Sequence, residues 1–357
     1  MYDGAWVGAI LPGLLAGRPA DWLPEPVQGA RTVVVLVLDG LGWHALERWP
    51  EQLPHLRALA GGPITTCAPS TTSAALTSIA TGLPPAEHGV LGYRMRVGGD
   101  VLNVLQWQIA GGGTAPEPTA VQPHQPFDGH DVKLVTRAEF RDSGFTEAHL
   151  RGGTFVGWRT TAVLVEHVRR LAADGDPVVY AYYDGVDKVA HSYGLTSGFF
   201  AAELAYADRL VGDLLAVIPA EAALLVTSDH GQVHVEADAK VGLGAVAPLV
   251  AAYSGDGRFR GLHARPGATR ELAQACRETY GDRAWVFDRE ELFADGWFGS
   301  GGEHTVRGRV GDVVLAARTP SAFIAPDHEV EARLIAYHGS LTADEMLVPA
   351  LAGRGRA

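Results

Sequence analysis

Residues 32–40 read TVVVLVLDG, an unbroken run of β-branched and apolar residues that ends on an aspartate and a glycine. A run without polar alternation is typical of a strand buried on both faces, which occurs mainly in parallel sheets covered by helices. The aspartate, Asp39, then lies at the carboxyl end of the strand, the edge where open α/β sheets bind ligands. The alternative is that Asp39 only caps a helix predicted at 40–49.

Two later segments repeat this pattern and also end in aspartate: PVVYAYYDG at 177–185 and AALLVTSDHG at 222–231. Helical periodicity predicts helices at 157–173 and 199–217, so strands and helices alternate along the chain. This alternation predicts an α/β fold, a doubly wound and mostly parallel sheet with helices on both faces.

The remaining segments predict additions to this sheet. Mixed helical and strand signals indicate that residues 242–330 form a smaller α+β insert that caps it. The core then consists of residues 1–241 and 331–357, with a last helix after the capping box at 342–345. Residues 97–151 are rich in glycine and proline and weakly periodic, which predicts an irregular insertion near the active edge.

Composition excludes several classes of partner. A formal net charge of −12 over 357 residues offers no cationic surface for a nucleic acid polymer, although small charged substrates held by local cations are compatible with it. The sequence lacks the run of about 20 apolar residues that a membrane helix requires, and its N-terminal segment lacks the basic region of a secretory signal. Two cysteines, Cys67 and Cys276, cannot form a disulfide framework. We therefore expect a cytoplasmic protein; its oligomeric state is not predicted.

Aspartate and histidine residues gather at the predicted strand ends. Asp39 ends one strand, Asp229 and His230 follow another, and Asp187 and His191 come just after the third. Because the carboxyl ends of neighbouring parallel strands lie side by side, these groups should converge. Asp187 and His191 are four residues apart and share one face of a helical turn. Such a set indicates a metal site; the alternatives are exposed residues at a helix start and a simple turn.

With these motifs the chain resembles the alkaline phosphatase superfamily, and within it the type I phosphodiesterase/nucleotide pyrophosphatase family. The matching segments follow the family's order: LDG at 38–40, PSTT at 69–72, TG at 81–82, HG at 88–89, DKVAH at 187–191, SDHG at 228–231 and HG at 338–339. The resemblance implies an alkaline-phosphatase-like fold and hydrolysis of phosphodiester or nucleotide pyrophosphate bonds in a small phosphorylated substrate.

The resemblance also implies two divalent metal ions, most often Zn²⁺, with Mn²⁺ as the alternative. One ion would take Asp187, His191 and a late histidine, and the other Asp39, Asp229, His230 and the nucleophile. For the late histidine, His338 matches the family's HG motif, whereas His304 lies inside the predicted insert. Two divalent ions carry four positive charges against three carboxylates, which leaves the site positive enough to hold a phosphate and an alkoxide.

In the family the nucleophile stands nine residues before a TG that ends its helix, and this spacing from Thr81 gives Thr72. Thr71 is the alternative. A helix predicted at 73–80 places either threonine at its N-terminus, where free N–H groups and the helix dipole favour anionic oxygens. A plain helix cap is the simpler interpretation of Thr72. Cys67 begins a partial copy of the sulfatase signature, but its position and the missing arginine indicate a structural residue.

Nucleotide pyrophosphatases of this type carry an asparagine shortly after the HG at 88–89, which donates to a phosphoryl oxygen. Here Tyr93 occupies that offset and Arg94 follows it. We hypothesise that one of them replaces the amide donor; the alternative is a packed aromatic ring and a solvated arginine. No arginine adjoins Thr72 as in phosphomonoesterases, which favours diesters. The predicted reaction passes through a phosphothreonine.

Other functions stay open. The same metal pair would also serve a phosphomonoesterase, a phosphonate hydrolase or a phosphomutase. The GxGxxA pattern at 40–45 predicts an NAD-dependent oxidoreductase, but an aspartate stands where the pyrophosphate should approach, and the acidic residue expected about 20 residues later is missing. A noncatalytic binding module is disfavoured because every expected ligand type is present.

Overall fold

The computed structural model describes residues 2–302, 304–326 and 328–357. Its centre is a seven-stranded sheet in which five neighbouring strands run parallel. In spatial order the strands are Ala60–Thr65, Leu347–Arg354, Ala222–Thr227, Thr32–Leu38, Val178–Tyr183, Lys133–Arg137 and Thr154–Trp158. The strand Leu347–Arg354 runs antiparallel to both of its neighbours.

Helices cover both faces of this sheet. Every side chain of Thr32–Leu38 is buried, and successive side chains enter two different cores. Those of Val33, Val35 and Val37 share a core with the helix Thr72–Thr81, and the alternate ones share a core with the helix Gly198–Val217. The predicted fold class, a mostly parallel sheet between two helical layers, is confirmed.

The longer helices of the described chain are Thr72–Thr81, Thr161–Asp174, Gly185–Tyr193, Gly198–Val217 and Thr269–Tyr280. The shorter ones are Ile10–Leu15, Trp43–Arg48, Pro54–Arg57, Pro85–His88, Pro118–Val121, Gly144–Leu150, Arg289–Ala294, His304–Arg307, Glu329–Arg333 and Ala343–Met346. No helix in this part of the chain is both long and apolar enough to cross a membrane.

A second, antiparallel sheet lies within the segment predicted to be an α+β insert. Its strands, in spatial order, are Val250–Gly255, Phe259–Ala264, Val313–Ala317 and Ala284–Asp288. The helix Thr269–Tyr280 packs on it through Leu272, Ala273 and Cys276. Two smaller sheets have two strands each: Lys240–Gly242 pairs with Ala322–Ile324, and Val233–His234 pairs with Ala336–Tyr337. A three-stranded sheet has Asp100–Asn103 in the middle, between Arg94–Val97 and Gln108–Ile109. The exact boundaries of the insert stay a prediction.

Three expectations about local structure were right only in part. The segment 97–151 is not irregular throughout, because Lys133–Arg137 is a strand of the central sheet; only its three middle residues are fully buried, so its apolar signal is short. The helix expected at 157–173 is the strand Thr154–Trp158 followed by a helix from Thr161. After residue 343 the chain makes one helical turn and then the strand Leu347–Arg354. That strand has few β-branched residues, so its pairing rather than its propensity decides its conformation.

Candidate active site

The first group of site residues lies at the carboxyl edge of the central sheet. Asp39 follows Thr32–Leu38, and Asp229 and His230 follow the adjacent parallel strand Ala222–Thr227. Their ligand atoms lie within 4.8 Å of one another. His230 Nε2 is 3.5 Å from Asp39 Oδ1 and 3.4 Å from Asp229 Oδ2. The helix after Asp39 begins only at Trp43 with Gly42 as its N-cap residue, so Asp39 is not its cap.

One oxygen of each carboxylate is already satisfied by the protein. Asp39 Oδ2 accepts a hydrogen bond from the Tyr182 hydroxyl, and Asp229 Oδ1 accepts from the backbone N–H of Gly40 at 3.1 Å. The other two, Asp39 Oδ1 and Asp229 Oδ2, are buried and have no hydrogen-bond partner among the described residues. Burial raises the pKa of Asp39 well above its usual value, and the charges of Asp229 and Asp187 raise it further. A cation among these oxygens would remove both penalties, so the donor set fits a metal ion.

The second group consists of Asp187, His191 and His338, whose ligand atoms also lie within 4.8 Å of one another. The first two are one turn apart on the helix Gly185–Tyr193, and Asp187 Oδ1 is 3.2 Å from His191 Nε2. Burial alone would raise the pKa of Asp187, but the charge of His191 and its hydrogen bond bring it below the usual value. Burial lowers the pKa of His338 well below its usual value, and His230 lowers it further. His338 is therefore neutral near pH 7, the form that binds metal ions.

The three histidines present the same ring nitrogen to the site. Each Nδ1 lies 2.7–3.0 Å from a backbone carbonyl oxygen: His230 from Gly231, His191 from Ala336 and His338 from Ser70. A carbonyl oxygen only accepts, so each Nδ1 carries a hydrogen, and in the neutral ring Nε2 then keeps the lone pair that a metal ion takes. The rings of His230 and His338 stack with centroids 3.6 Å apart, which joins the two groups into one site.

Thr72 is the first residue of the helix Thr72–Thr81 and points into this site. Its Oγ1 lies 3.0 Å from His230 Nε2; when the ring is neutral with its hydrogen on Nδ1, the threonine hydroxyl is the donor in this contact. Thr71 is the N-cap residue, and its side chain makes no capping hydrogen bond. The hydroxyl lies near the carboxylate of Asp256, whose pKa burial raises to about 6. The structure thus brings Thr72, and not Thr71, against the first group.

Two cavities meet at Thr72. One, of about 400 Å³, is lined by Thr72, His191 and His338 together with Tyr93, Arg94 and Asn103. The other, of about 220 Å³, reaches Asp39 and Thr72 and has apolar walls that include Leu76, Phe140 and Phe145. Both therefore give access to the Thr72 hydroxyl.

The predicted substrate-binding residues, Tyr93 and Arg94, face the larger cavity, but they differ in whether their polar groups are available to a substrate. Asn103 Nδ2 donates to the Tyr93 hydroxyl at 2.8 Å, and because that hydroxyl serves as acceptor here, its own hydrogen stays available. The Arg94 guanidinium forms an ion pair with Glu331 and contacts His328 Nδ1 at 2.7 Å. Arg94 is therefore neither solvated nor an unpaired positive charge.

The sequence profile of the type I phosphodiesterase/nucleotide pyrophosphatase family matches residues 33–341, which contain both groups of site residues. The chain belongs to this family. Membership indicates a hydrolase of phosphodiester or pyrophosphate bonds, and it confirms the resemblance found in the motifs. The search of curated protein sequences gave no significant match.

Solved structures of the ectonucleotide pyrophosphatase/phosphodiesterases share the fold. The mouse member 5 superimposes with a TM-score of 0.71 at 16% identity, covering 91% of this chain and 88% of that one. The human member 5 gives a TM-score of 0.68 at 14% identity, covering 91% and 88%. An inactive threonine-to-alanine variant of the mouse protein in complex with AMP gives 0.67 at 15% identity, covering 90% and 87%. At these identities the likeness concerns the fold alone.

Other candidates from the sequence lie outside the site. Cys67 is fully buried, and burial raises the pKa of its thiol to about 12, which makes it a poor nucleophile. His88 is buried with its Nε2 3.0 Å from Ser78 Oγ, consistent with a structural turn. His304 starts a short exposed helix and belongs to neither group of site residues. Of the two late histidines, His338 is the one that lies with Asp187 and His191.

The glycines of the GxGxxA pattern serve close packing in this family member. A Cβ at Gly40 would stand 2.3 Å from Gln232 Nε2, and one at Gly42 would stand 2.8 Å from the Gly231 Cα. Gly40 also has a φ of +76°, which other residues rarely adopt. These contacts account for both glycines without a bound dinucleotide.

Sequence reasoning missed three residues at the site, Tyr182, Asn103 and Gln232. Asn103 comes from the hairpin Arg94–Val97 and Asp100–Asn103, where no motif marks it. Gln232, whose Nε2 donates to Asp187 Oδ1 at 2.8 Å, directly follows the SDHG motif. Its place next to a motif of site residues was a signal that could have found it.

Proposed function

We propose that this protein is a metal-dependent phosphodiesterase/nucleotide pyrophosphatase that uses Thr72 as its nucleophile and passes through a phosphothreonine. The observation that carries the proposal is the contact of Thr72 Oγ1 with His230 Nε2, 3.0 Å apart, inside a group with two buried, unpartnered carboxylate oxygens. Unpartnered buried oxygens are costly unless a cation or donor occupies the site.

Two divalent ions, most simply Zn²⁺ with Mn²⁺ as the alternative, would be held by the two groups. Asp39, Asp229, His230 and Thr72 would hold one ion, and Asp187, His191 and His338 the other. Imidazole nitrogens with carboxylate oxygens suit these metals. The carbonyl partners of the three Nδ1 atoms support the assignment, because metal-binding histidines are usually fixed in this way.

The chain's own groups supply the chemistry around Thr72. Its hydroxyl releases its proton to solvent, its oxygen attacks phosphorus in line with the leaving oxygen, and the bond from phosphorus to that oxygen breaks; the leaving group departs and takes up a proton from solvent where its pKa requires one, which leaves a phosphothreonine. Water then attacks phosphorus, the bond from phosphorus to Thr72 Oγ1 breaks, and the threonine hydroxyl is restored as the phosphate product leaves. Bound ions would supply the positive charge that stabilises the threonine alkoxide and the phosphoryl oxygens. The free N–H groups of the first turn of Thr72–Thr81 favour the same negative charge.

The cavities favour a diester over a monoester. A phosphodiester carries two substituents, and two separate spaces of about 400 and 220 Å³ meet at Thr72. The Tyr93 hydroxyl, held by Asn103, is the better donor to a phosphoryl oxygen, because the Arg94 guanidinium is already engaged by Glu331 and His328. A relative of this fold binds AMP in its inactive form, which supports a small nucleotide-type substrate.

Four chromogenic substrates test the proposal on purified protein whose metal content has been measured: bis-p-nitrophenyl phosphate, p-nitrophenyl phosphate, a p-nitrophenyl nucleotide ester and a p-nitrophenyl sulfate. We expect turnover of the two diesters to exceed that of the monoester and the sulfate. Thr72→Ala should abolish turnover while both ions stay bound. Thr71→Ala is the matched control and should keep measurable turnover.

Acid quenching during turnover should trap a phosphate on the peptide that contains Thr72, detected by mass spectrometry, and Thr71→Ala should retain it. Wild-type activity in Thr72→Ala, or phosphate on another residue, would contradict the assignment.

A further inference from the structure

Gln232 links the second group of site residues to a cavity behind the site. Its Nε2 donates to Asp187 Oδ1 at 2.8 Å, and that oxygen also faces His191 Nε2 at 3.2 Å. The side chain is 5% exposed. Asp187 therefore has a fixed orientation only while the Gln232 amide stays in place.

The neighbouring backbone is shaped around this amide. A Cβ at Gly40 would stand 2.3 Å from Gln232 Nε2 and 3.0 Å from the Asp187 Cα. The backbone N–H of the same glycine donates to Asp229 Oδ1 at 3.1 Å. The absence of a side chain at Gly40 thus lets the amide reach Asp187, while its N–H orients a residue of the other group.

Gln232 is also part of a wall. On its far side lies a cavity of about 450 Å³ that is lined by Gly40, His44, Arg48 and Asp344. Asp344 Oδ1 contacts both His44 Nδ1 and Arg48 Nη2, at 2.9 and 2.7 Å, so these charges are paired among themselves. The Oε1 of Gln232 has no hydrogen-bond partner in the described part of the chain. Of these described polar groups, the Gln232 amide is the one that hydrogen-bonds to a site residue, Asp187.

We propose that Gln232 is a positioning residue that holds Asp187 in the orientation that binds a divalent cation, and so sets the affinity of the group Asp187, His191 and His338. The inference rests on the proposed function. A carboxylate that binds a metal is usually held by an outer hydrogen bond, and loss of such a partner typically weakens metal affinity by about 10–100-fold. The group Asp39, Asp229 and His230 makes no hydrogen bond with the Gln232 side chain and should keep its affinity.

The test is Gln232→Met, which preserves the length of the side chain and removes its donor. Metal-free protein is titrated with Zn²⁺ against a chromogenic chelator of known affinity, and the two dissociation constants are resolved. We expect one constant to rise by about 10–100-fold and the other to stay at the wild-type value. Titration with Co²⁺ should show the change in the visible absorption of one site only.

Gln122→Met is the matched control. Gln122 is also fully buried, and its amide bonds to the Ala148 carbonyl at 2.7 Å and the His124 N–H at 2.6 Å, away from both groups. It should lower the free energy of unfolding and leave both constants unchanged. A general loss of packing in Gln232→Met would weaken both sites together, which would refute the positioning role.

If both dissociation constants of Gln232→Met equal those of the wild-type protein, the positioning role of Gln232 is also refuted, while the proposed function stands. If wild-type protein binds no divalent ion stoichiometrically, both the proposed function and this inference fall.

Discussion

The ion pair of Arg258 with Glu345 should be among the most sensitive points of the molecule outside the site. Its two side chains are 1% and 0% exposed, and the guanidinium Nε and Nη2 each lie 2.8 Å from a carboxylate oxygen. Glu345→Gln removes the negative charge and leaves a buried guanidinium facing carbonyl groups. Breaking a buried pair in this way costs about 3–5 kcal/mol, or a factor of about 10²–10⁴ in the unfolding equilibrium.

The same substitution should also affect the active site. Glu345 Oε1 accepts from the Ser340 N–H at 2.9 Å, and the Ser340 carbonyl accepts from Ser70 Oγ at 2.6 Å. His338, which lies two residues before Ser340 in the chain, donates to the Ser70 carbonyl. We therefore expect Glu345→Gln to weaken cation binding at the group that contains His338 as well as the fold.

Urea unfolding followed by circular dichroism measures the first effect. The double variant Arg258→Met with Glu345→Met should be more stable than either single variant, because no unpaired charge is left buried. Glu166→Gln, which breaks an exposed helical pair with Arg169, is the control and should leave the unfolding curve unchanged. A free energy of unfolding for Glu345→Gln within about 1 kcal/mol of wild type would refute the reasoning.

Three further outcomes can be checked separately. Asp229→Asn should lower bound metal, measured by mass spectrometry of the dialysed protein, since the amide supplies one weak ligand oxygen; unchanged metal content would contradict its role. Burial lowers the folded-state pKa of His88 to about 3 from 6.5, so stability is lost as pH falls below about 6.5, by about 1.4 kcal/mol per unit until about pH 3. His88→Gln should reduce that slope in urea titrations at several pH values, and an identical slope would count against it. Gly61→Ala should destabilise the sheet by at least about 1–3 kcal/mol, because its φ is +135° and a Cβ would stand 2.0 Å from the Ala350 carbonyl oxygen; a wild-type melting curve would contradict this.

The sheet centre was predictable because its strands are buried on both faces. The run at 32–38 has no polar residue after Thr32, and that uniformity is itself the signal of a parallel strand between helical layers. The strand Lys133–Arg137 sits nearer the edge and is short, so turn residues around it conceal it. The strand Leu347–Arg354 has only one β-branched residue and contains both proline and glycine, so its partners on either side make it a strand.

The candidate site likewise contains residues that could be predicted from the sequence and residues that could not. Asp39, Asp229 and His230 were identifiable because they end buried strands, and the topology then places them together. Tyr182 acts on Asp39, and Gln232 acts on Asp187, through contacts between different elements that no strand or helix pattern specifies. Asn103 comes from a hairpin whose position over the cavity depends on tertiary packing.

The antiparallel strand Leu347–Arg354 lies between Ala60–Thr65 and Ala222–Thr227. During synthesis the ribosome delivers it after all the other members of the sheet, so until residue 354 emerges one flank of the nascent sheet has an unpaired edge and Ala60–Thr65 has no partner within it. Such open edges attract other chains. We therefore expect the growing polypeptide to be prone to aggregation until this strand is complete, and a chain that stalls shortly before its last codons to keep both edges open.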